Sequence, residues 1–291
     1  MRLRKCNLSE ILGKEFSGRR MTSSNSTGPV LWGIDERGVA NVVLNRPEVN
    51  NAYDGGLVDG LLRATDALKD MAGLRLIVIR GNGRHFQAGA DLKWIDAVAK
   101  SSPTENISAS RATAEAVRRL NSSPVPTLAL VQGGCFGGGT GIIAACDVVI
   151  AAENAMFSIS EVRWGLTAAI ILPQLIRGIG LRQLRRYALT GERFGAEEAR
   201  RIGLVHEVVA LSDLEKAGAR MIDHFLENGP QAISETKVLA LELAGARIDE
   251  KAFDRLIEHH AAKRQSKEAA EGLASFAEKR SARWGGTAKI R

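Results

Sequence analysis

Apolar and polar positions fall along this chain in blocks whose period changes several times. From Val30 to Leu44, two apolar segments flank Asp35-Glu36-Arg37-Gly38, a pattern that predicts a β-hairpin with glycine at its turn. In the following stretch LNRPEVNNAYD, Pro47 and two asparagines break the strand. Between Asp54 and Met71 the apolar residues Leu57, Val58, Leu61, Leu62 and Leu68 recur with a helical period. Leu74–Gly83 (LRLIVIRGNG) then reads as a buried strand stopped by a glycine loop, and strand, helix, strand and loop in succession is the α/β rhythm. Arg84–Ile95 repeats the theme with a loop of small residues. Ser101–Ser123 is polar, helical in its Ala-rich centre, closed by Pro124 and Pro126, and a candidate flap. Thr127–Val131 and Asp147–Ala151 are the next strands, and a mostly apolar segment follows Glu161 as far as Ile179. Leu181–Thr190 and Ala196–Ile202 read as helices.

Beyond Val209 the strand patterns stop. Ser212-Asp213-Leu214-Glu215 has the form of a capping box opening a helix, and Asn228-Gly229-Pro230 ends that helix and starts another. Ile248–Ala262 and Lys267–Lys279 complete four helical segments. The expected plan has three parts. Residues 1–29 form a disordered or loosely attached extension, 30–210 an α/β core, and 211–291 a helical region. That region is too thin to bury its own faces, so it should pack on the body or on another subunit. No internal sequence repeat is evident.

One stretch between the strand patterns is unusual. Five of the seven residues from Gly133 to Gly139 are glycine, and none of the seven carries a polar side chain. Chemistry there must therefore come from the backbone. Glycine permits positive φ and close approach of main chain to a ligand. A helix starting at the cluster would turn unpaired N–H groups toward whatever docks there. The stretch reads either as a cradle for a developing negative charge or, without one, as a set of tight turns and close packing contacts.

Composition narrows the class. The 291 residues allow one large domain or a domain with an appendage, and 45% apolar content is enough for a sizeable core. The longest apolar runs fall far short of the ~18 residues needed to span a bilayer, so no membrane association is expected. Cys6, Cys135 and Cys146 are an odd number with no apolar leader, which points to free thiols in a reducing compartment and a cytoplasmic location. The formal charge of +7 sits at the two ends. Arg2, Arg4, Lys5, Lys14, Arg19 and Arg20 outnumber Glu10 and Glu15 at one end. Lys279, Arg280, Arg283, Lys289 and Arg291 face no acid at the other. The body between is nearly balanced, which speaks against a nucleic-acid partner. The five histidines show no metal-ligand spacing, so no metal is expected. No Walker A, G-x-G-x-x-G or G-x-S-x-G pattern occurs.

Six motifs in order, LNRPEVNNA, GRHFQAGADL, VPTLALVQGGCFGGGTGIIAACDVVIAAENAMF, SEVRWGL, LTGERFGAEEARRIGLVHEVV and EGLASFAEKR, resemble the crotonase (enoyl-CoA hydratase/isomerase) superfamily across nearly all of Val39–Arg280. The resemblance implies a crotonase-like α/β spiral of ββα repeats, followed by a helical C-terminal region used for trimerisation, with trimers or hexamers as the assembly. It implies an acyl-CoA thioester as substrate and no separate cofactor, CoA being part of the substrate. The backbone N–H groups of Ala88 and Gly138 would form the oxyanion hole for the thioester carbonyl, and Glu161 would be the catalytic acid/base. Gly137, Ala90, Asp91 and Leu92 would line the substrate and adenine sites. Arg46 and Arg84, and Lys279 with Phe276 from a neighbouring subunit, would meet CoA.

At one position the chain departs from the family pattern. Gly141 stands where two-acid hydratases carry a second glutamate. This leaves a hydratase working with one acid, an isomerase that moves a double bond, or a pseudoenzyme. GGGTGIIAACD followed by SEVRWGLTAAIILPQLIRGIG looks like the branch that hydrates methylglutaconyl-CoA and isohexenylglutaconyl-CoA in leucine and acyclic-terpene degradation, and favours the first. Such substrates carry a second carboxylate, for which Arg163 is the candidate partner. RNA binding is the alternative outside enzymology.

Overall fold

A computed structural model describes residues 21–246 and 249–284. Strands β1 (Met21–Asn25), β2 (Val30–Asp35) and β3 (Val39–Leu44) form an antiparallel meander in which Gly38, at φ +82°, closes the β2–β3 turn. All six residues of β3 are buried, as expected of a strand covered on both faces. Asp54 caps helix α1 (Gly55–Lys69) by accepting the Leu57 N–H, and α1 buries Leu57, Val58, Leu61, Ala64 and Leu68 along one face. Next come β4 (Leu76–Gly81), β5 (Gln87–Ala88), α2 (Leu92–Ala99) and α3 (Pro103–Asn121). The candidate flap is thus one continuous helix, opened by a Ser102/Glu105 capping box.

After β6 (Thr127–Val131), the glycine cluster supplies β7 (Gly134–Phe136) and the start of α4 (Gly138–Ala144). Strands β8 (Val148–Ala152) and β9 (Met156–Ser158) lead to a 3-10 turn, Glu161–Trp164. Helix α5 (Leu172–Thr190) is interrupted at Gly180, whose φ of 72° and ψ of 157° are not helical. This explains why its two halves read as different segments. Strand β10 (Phe194–Gly195), α6 (Ala196–Arg201) and β11 (Glu207–Val209) follow. The remaining elements are all helices: α7 (Leu214–Glu227), α8 (Pro230–Leu243), α9 (Glu250–Arg264) and α10 (Lys267–Ala277).

The strands make two sheets. The larger runs in the order β1-β2-β3-β4-β6-β8-β11, parallel from β3 onward. The smaller runs β10-β9-β7-β5, with β9, β7 and β5 parallel to one another. Mixed α/β layers followed by helices agree with the expected fold class. Two details differ. Residues 21–25 are not a loose extension but an edge strand, because β2 offers them an open hydrogen-bonding edge. The expected boundary after residue 210 falls instead at 219: of the described residues, 21–123 and 127–219 make one compact unit, and 124–126, 220–246 and 249–284 another. The first turns of α7 belong to the first unit. Leu214 and Ala217 are buried there, Glu215 pairs with Arg80 of β4 at 2.7 Å, and Gly218 lies against the Leu130 side chain of β6.

Asn51 does more for this unit than its sequence context suggests. It is fully buried in the left-handed region at φ 56°. Its Oδ1 accepts the Arg46 N–H at 2.8 Å. Its Nδ2 donates to the carbonyls of Asn82 and His85 at 2.9 Å and of Phe86 at 3.2 Å. One side chain thereby ties the loop after β3 to the loop between β4 and β5. Asn51→Ala should destabilise the protein by at least about 2 kcal/mol, because it strands buried carbonyls and places alanine at positive φ. Chemical denaturation checks this, and a loss within about 0.5 kcal/mol would show that the clamp is not needed.

Candidate active site

The short sheet brings the two small-residue loops side by side. In β5 and β7, Gln87 pairs with Cys135 and Ala88 with Phe136. His85 Nδ1 accepts the Gly134 N–H at 2.7 Å, and the Phe86 N–H donates to the Gln132 carbonyl at 2.8 Å. Burial, with Arg84 nearby, lowers the His85 pKa and so favours the neutral ring that can accept this bond.

Along the first loop almost every N–H is occupied. The Ala88 N–H donates to the Asn50 carbonyl at 3.0 Å, that of Gly89 to Gln87 Oε1 at 3.0 Å, and that of Asp91 to the Tyr53 carbonyl at 2.8 Å. The Ala90 N–H has no partner among the described residues. This corrects the expected role of Ala88: its N–H is spent on Asn50, and the free donor is two residues further on. In the second loop the Gly137 N–H donates to the Ser158 carbonyl at 2.8 Å, whereas the Gly138 N–H, at the first position of α4, has no partner among the described residues. Of the expected pair, Gly138 is the one whose N–H is left open toward the cavity.

Ala90, Gly138 and Glu161 line one cavity of about 510 Å³. Gly137, at φ +50°, explains why glycine is required here: a Cβ would lie 3.0 Å from Glu161 Oε1. Glu161 Oε2 is buried without a hydrogen-bond partner, and burial raises the pKa of the carboxyl above its usual value. Tyr53 packs its ring over Gly138, where a Cβ would come within 2.7 Å of it. Burial and the Glu161 charge push the Tyr53 pKa up to about 12, so its hydroxyl stays protonated. Trp94 meets the Tyr53 ring edge-on at 5.7 Å.

Gly141 is occupied from the other side. A Cβ there would sit 2.1 Å from Cγ2 of Ile171, itself a buried residue that lines the cavity. The place where a second acid would stand is therefore filled by hydrocarbon.

The other expected contacts separate. Arg46 is committed within the fold: it donates to the Ala52 carbonyl at 2.6 Å and pairs with Asp54 at 3.1 Å and Asp91 at 3.3 Å, which corrects its assignment to a CoA phosphate. Asp91 caps α2 through the Lys93 N–H; burial opposes its ionisation, but that bond and Arg46 hold its carboxyl below the usual range. Arg163 is corrected as well. Its Nε donates to the Gly191 carbonyl at 2.9 Å and it does not line the cavity. Leu92 is half-exposed and, with Gly89, lines the cavity, while Arg84 is exposed on the loop before β5. Phe276 and Lys279 belong to the second compact unit. Sequence reasoning passed over Tyr53, Asn50, Asn51, His85 and Ile171, although the first three lie inside the quoted NNAY stretch. Among the described residues no group of three or more His, Cys, Asp or Glu could hold a metal ion, and no helix is long and apolar enough to cross a membrane.

Comparison with known proteins finds related sequences and folds. Residues 35–287 match the profile of the enoyl-CoA hydratase/isomerase family. The chain is 33% identical over 249 residues to the mevalonyl-coenzyme A hydratase of Aspergillus fumigatus, covering 84% of this chain and 90% of that one. It is 29% identical over 256 residues to the mitochondrial Delta(3,5)-Delta(2,4)-dienoyl-CoA isomerase of Dictyostelium discoideum, covering 84% and 87%. The crystal structure of an enoyl-CoA hydratase from Shewanella pealeana superposes with a TM-score of 0.84 at 34% identity, covering 96% of this chain and 100% of that one.

The packing at Gly141 makes a direct prediction. Gly141→Ala alone should cost about 1–3 kcal/mol through overpacking against Ile171, and Gly141→Ala combined with Ile171→Ala, which removes the Cγ2 that the new methyl would meet, should lose less than the sum of the two single changes. Thermal melts of the single and double variants test it, and an unchanged melting temperature for Gly141→Ala would contradict the close contact.

Proposed function

Because the chain belongs to the enoyl-CoA hydratase/isomerase family, we propose that it hydrates an α,β-unsaturated acyl-CoA, with Ala90 and Gly138 receiving the thioester oxygen and Glu161 handling the proton. The observation that carries this is the meeting, in one cavity, of two backbone N–H groups and a carboxylate oxygen that have no partners among the described residues. Adding a nucleophile to the double bond drives the π electrons onto the carbonyl, and the charge appears on oxygen as an enolate. Fixed donors aimed at that oxygen stabilise it by about 2.7–4 kcal/mol each.

One acid can serve both halves of the addition. As water attacks the carbon beyond the one next to the carbonyl, the Glu161 carboxylate takes its proton. The same proton then passes to the carbon next to the carbonyl, which restores the thioester and the carboxylate. Both transfers occur on the face of the substrate that Glu161 occupies, so the elements of water add from one side. The raised carboxyl pKa suits a group that must both accept and return a proton.

The Ile171 side chain beside Gly141 favours a second reading. With hydrocarbon in place of an acid that would hold water, Glu161 could instead carry a proton between carbons and shift a double bond. Incubation with a 2-enoyl-CoA and a 3-enoyl-CoA separates the two, since hydration gives a 3-hydroxy ester and isomerisation gives none. The narrower assignment to methylglutaconyl-type substrates finds no support in Arg163, which does not line the cavity. Assembly as a trimer or hexamer through the helical region is part of the same reading. Phe253, Ile257, Leu273 and Phe276 are more than half exposed there, and this much apolar surface favours a partner.

Glu161→Gln should lower kcat/KM for an enoyl-CoA by about 10²- to 10⁴-fold. It should not lower the melting temperature at pH 7. A carboxyl whose pKa is raised on folding favours the fold below the unfolded value and loses that contribution as pH rises through the folded value. The wild-type melting temperature relative to the glutamine variant should therefore fall between pH 4 and pH 7. Turnover of the variant within about threefold of wild type would remove Glu161 from the mechanism.

A further inference from the structure

The cavity extends beyond the cradle, and its outer walls differ from the site in chemistry. Leu61 of α1, Ile95 and Val98 of α2, and Ala116 and Val117 of α3 line it, with Ile142 of α4 nearer the glycines. Leu61, Ala116, Val117 and Ile142 are each no more than 4% exposed, so these walls are part of the core. The polar residues of α3 that line it are Asn106, Ser110 and Thr113, all uncharged. Among the described residues lining the cavity, Glu161 is the one charged side chain. Lys93 and Arg111 sit next to lining residues in sequence but do not line it, and Arg163 donates to the Gly191 carbonyl.

Building on the thioester reading above, we infer that the acyl site takes an uncharged, extended apolar acyl group and rejects one that ends in a second carboxylate. A carboxylate carried into these walls would lose its hydration and find no cation in exchange. It would also enter a cavity that already holds Glu161, and like charges brought together disfavour ionisation of both. A hydrocarbon tail loses nothing of this kind and removes apolar surface from water along α1, α2 and α3. The volume, about 510 Å³, lies within the usual range for small-molecule sites. Hydroxyl and amide groups on α3 could accept or donate one hydrogen bond but supply no countercharge.

Saturated esters test the pocket without requiring turnover. Calorimetric titration of the full-length protein with hexanoyl-CoA and adipoyl-CoA compares two six-carbon acyl groups that differ by a terminal carboxylate. Hexanoyl-CoA should bind at least about tenfold more tightly, and decanoyl-CoA at least as tightly as hexanoyl-CoA. Equal or tighter binding of adipoyl-CoA would overturn the inference while leaving the thioester site intact. Failure of every CoA ester to bind would instead sink the thioester reading itself, and the inference with it. Thr113→Arg, at a half-buried position on α3, should shift the adipoyl-to-hexanoyl ratio toward adipoyl by about tenfold. A folded Thr113→Arg protein with an unchanged ratio would also overturn the inference, since α3 would then not face the acyl group.

Discussion

Folded proteins pair nearly all of their buried backbone N–H groups, and among the described residues this one leaves two without partners at the edge of one cavity. That constraint organises the surrounding structure. Around Ala90 the adjacent donors are all consumed: Ala88 by Asn50, Gly89 by Gln87, and Asp91 by Tyr53. Around Gly138, the Gly137 N–H is taken by Ser158. The acceptors come from separate parts of the chain, and two devices hold those parts in register. Asn51 gathers three carbonyls from the loop before β5, and His85 accepts a bond from the glycine cluster. A loop free to rotate would pair its own N–H groups or offer them to water. Here rotation is blocked by bonds that are individually ordinary.

The acid is held under a different tension. Glu161 follows β9 in a short 3-10 turn and presents its carboxyl to a cavity walled mostly by hydrocarbon and glycine. Neighbouring glycines let it come close, and burial raises its pKa. A carboxylate so placed is costly to ionise, and the fold accepts that cost at the position where the proposed reaction exchanges a proton. Tyr53 shares the same surroundings, and its ring both covers Gly138 and meets the Trp94 ring. The aromatic pair therefore shapes the cradle from the α1 and α2 side, while Ile171 closes it from the side of α5.

Much of the architecture was legible in the residues. The hairpin at Gly38, the amphipathic α1, the buried β4 and β6, and the helices after β11 follow from local periodicity and turn chemistry. The glycine cluster was legible as a place where backbone rather than side chains meets whatever docks, and Gly137 and Gly138 do line the cavity. The misplaced details share a physical origin. Ala88 and Ala90 are both small residues in one loop, and which N–H is free depends on what Asn50 and Tyr53 accept from a distant segment. Arg46 and Arg163 carry the charge that a phosphate or carboxylate would want. Asp54 and Asp91 already pair with the first, and the second does not line the cavity. A side chain's availability depends on its neighbours in space, which local sequence does not list.

Residue types and their order were enough to establish an α/β body with a glycine-backed cradle, a single acid at its end, and no second acid at Gly141. Those features rest on what each residue can do locally: glycine's freedom in φ, the period of an apolar face, the presence or absence of a carboxyl. Tertiary packing alone decided that Ala90 supplies the free donor and that Ile171 fills the space beside Gly141. It also decided that no cation lines the cavity among the described residues. Each of these is a matter of which distant groups arrive at the same point, and only closing the chain around the cavity determines that.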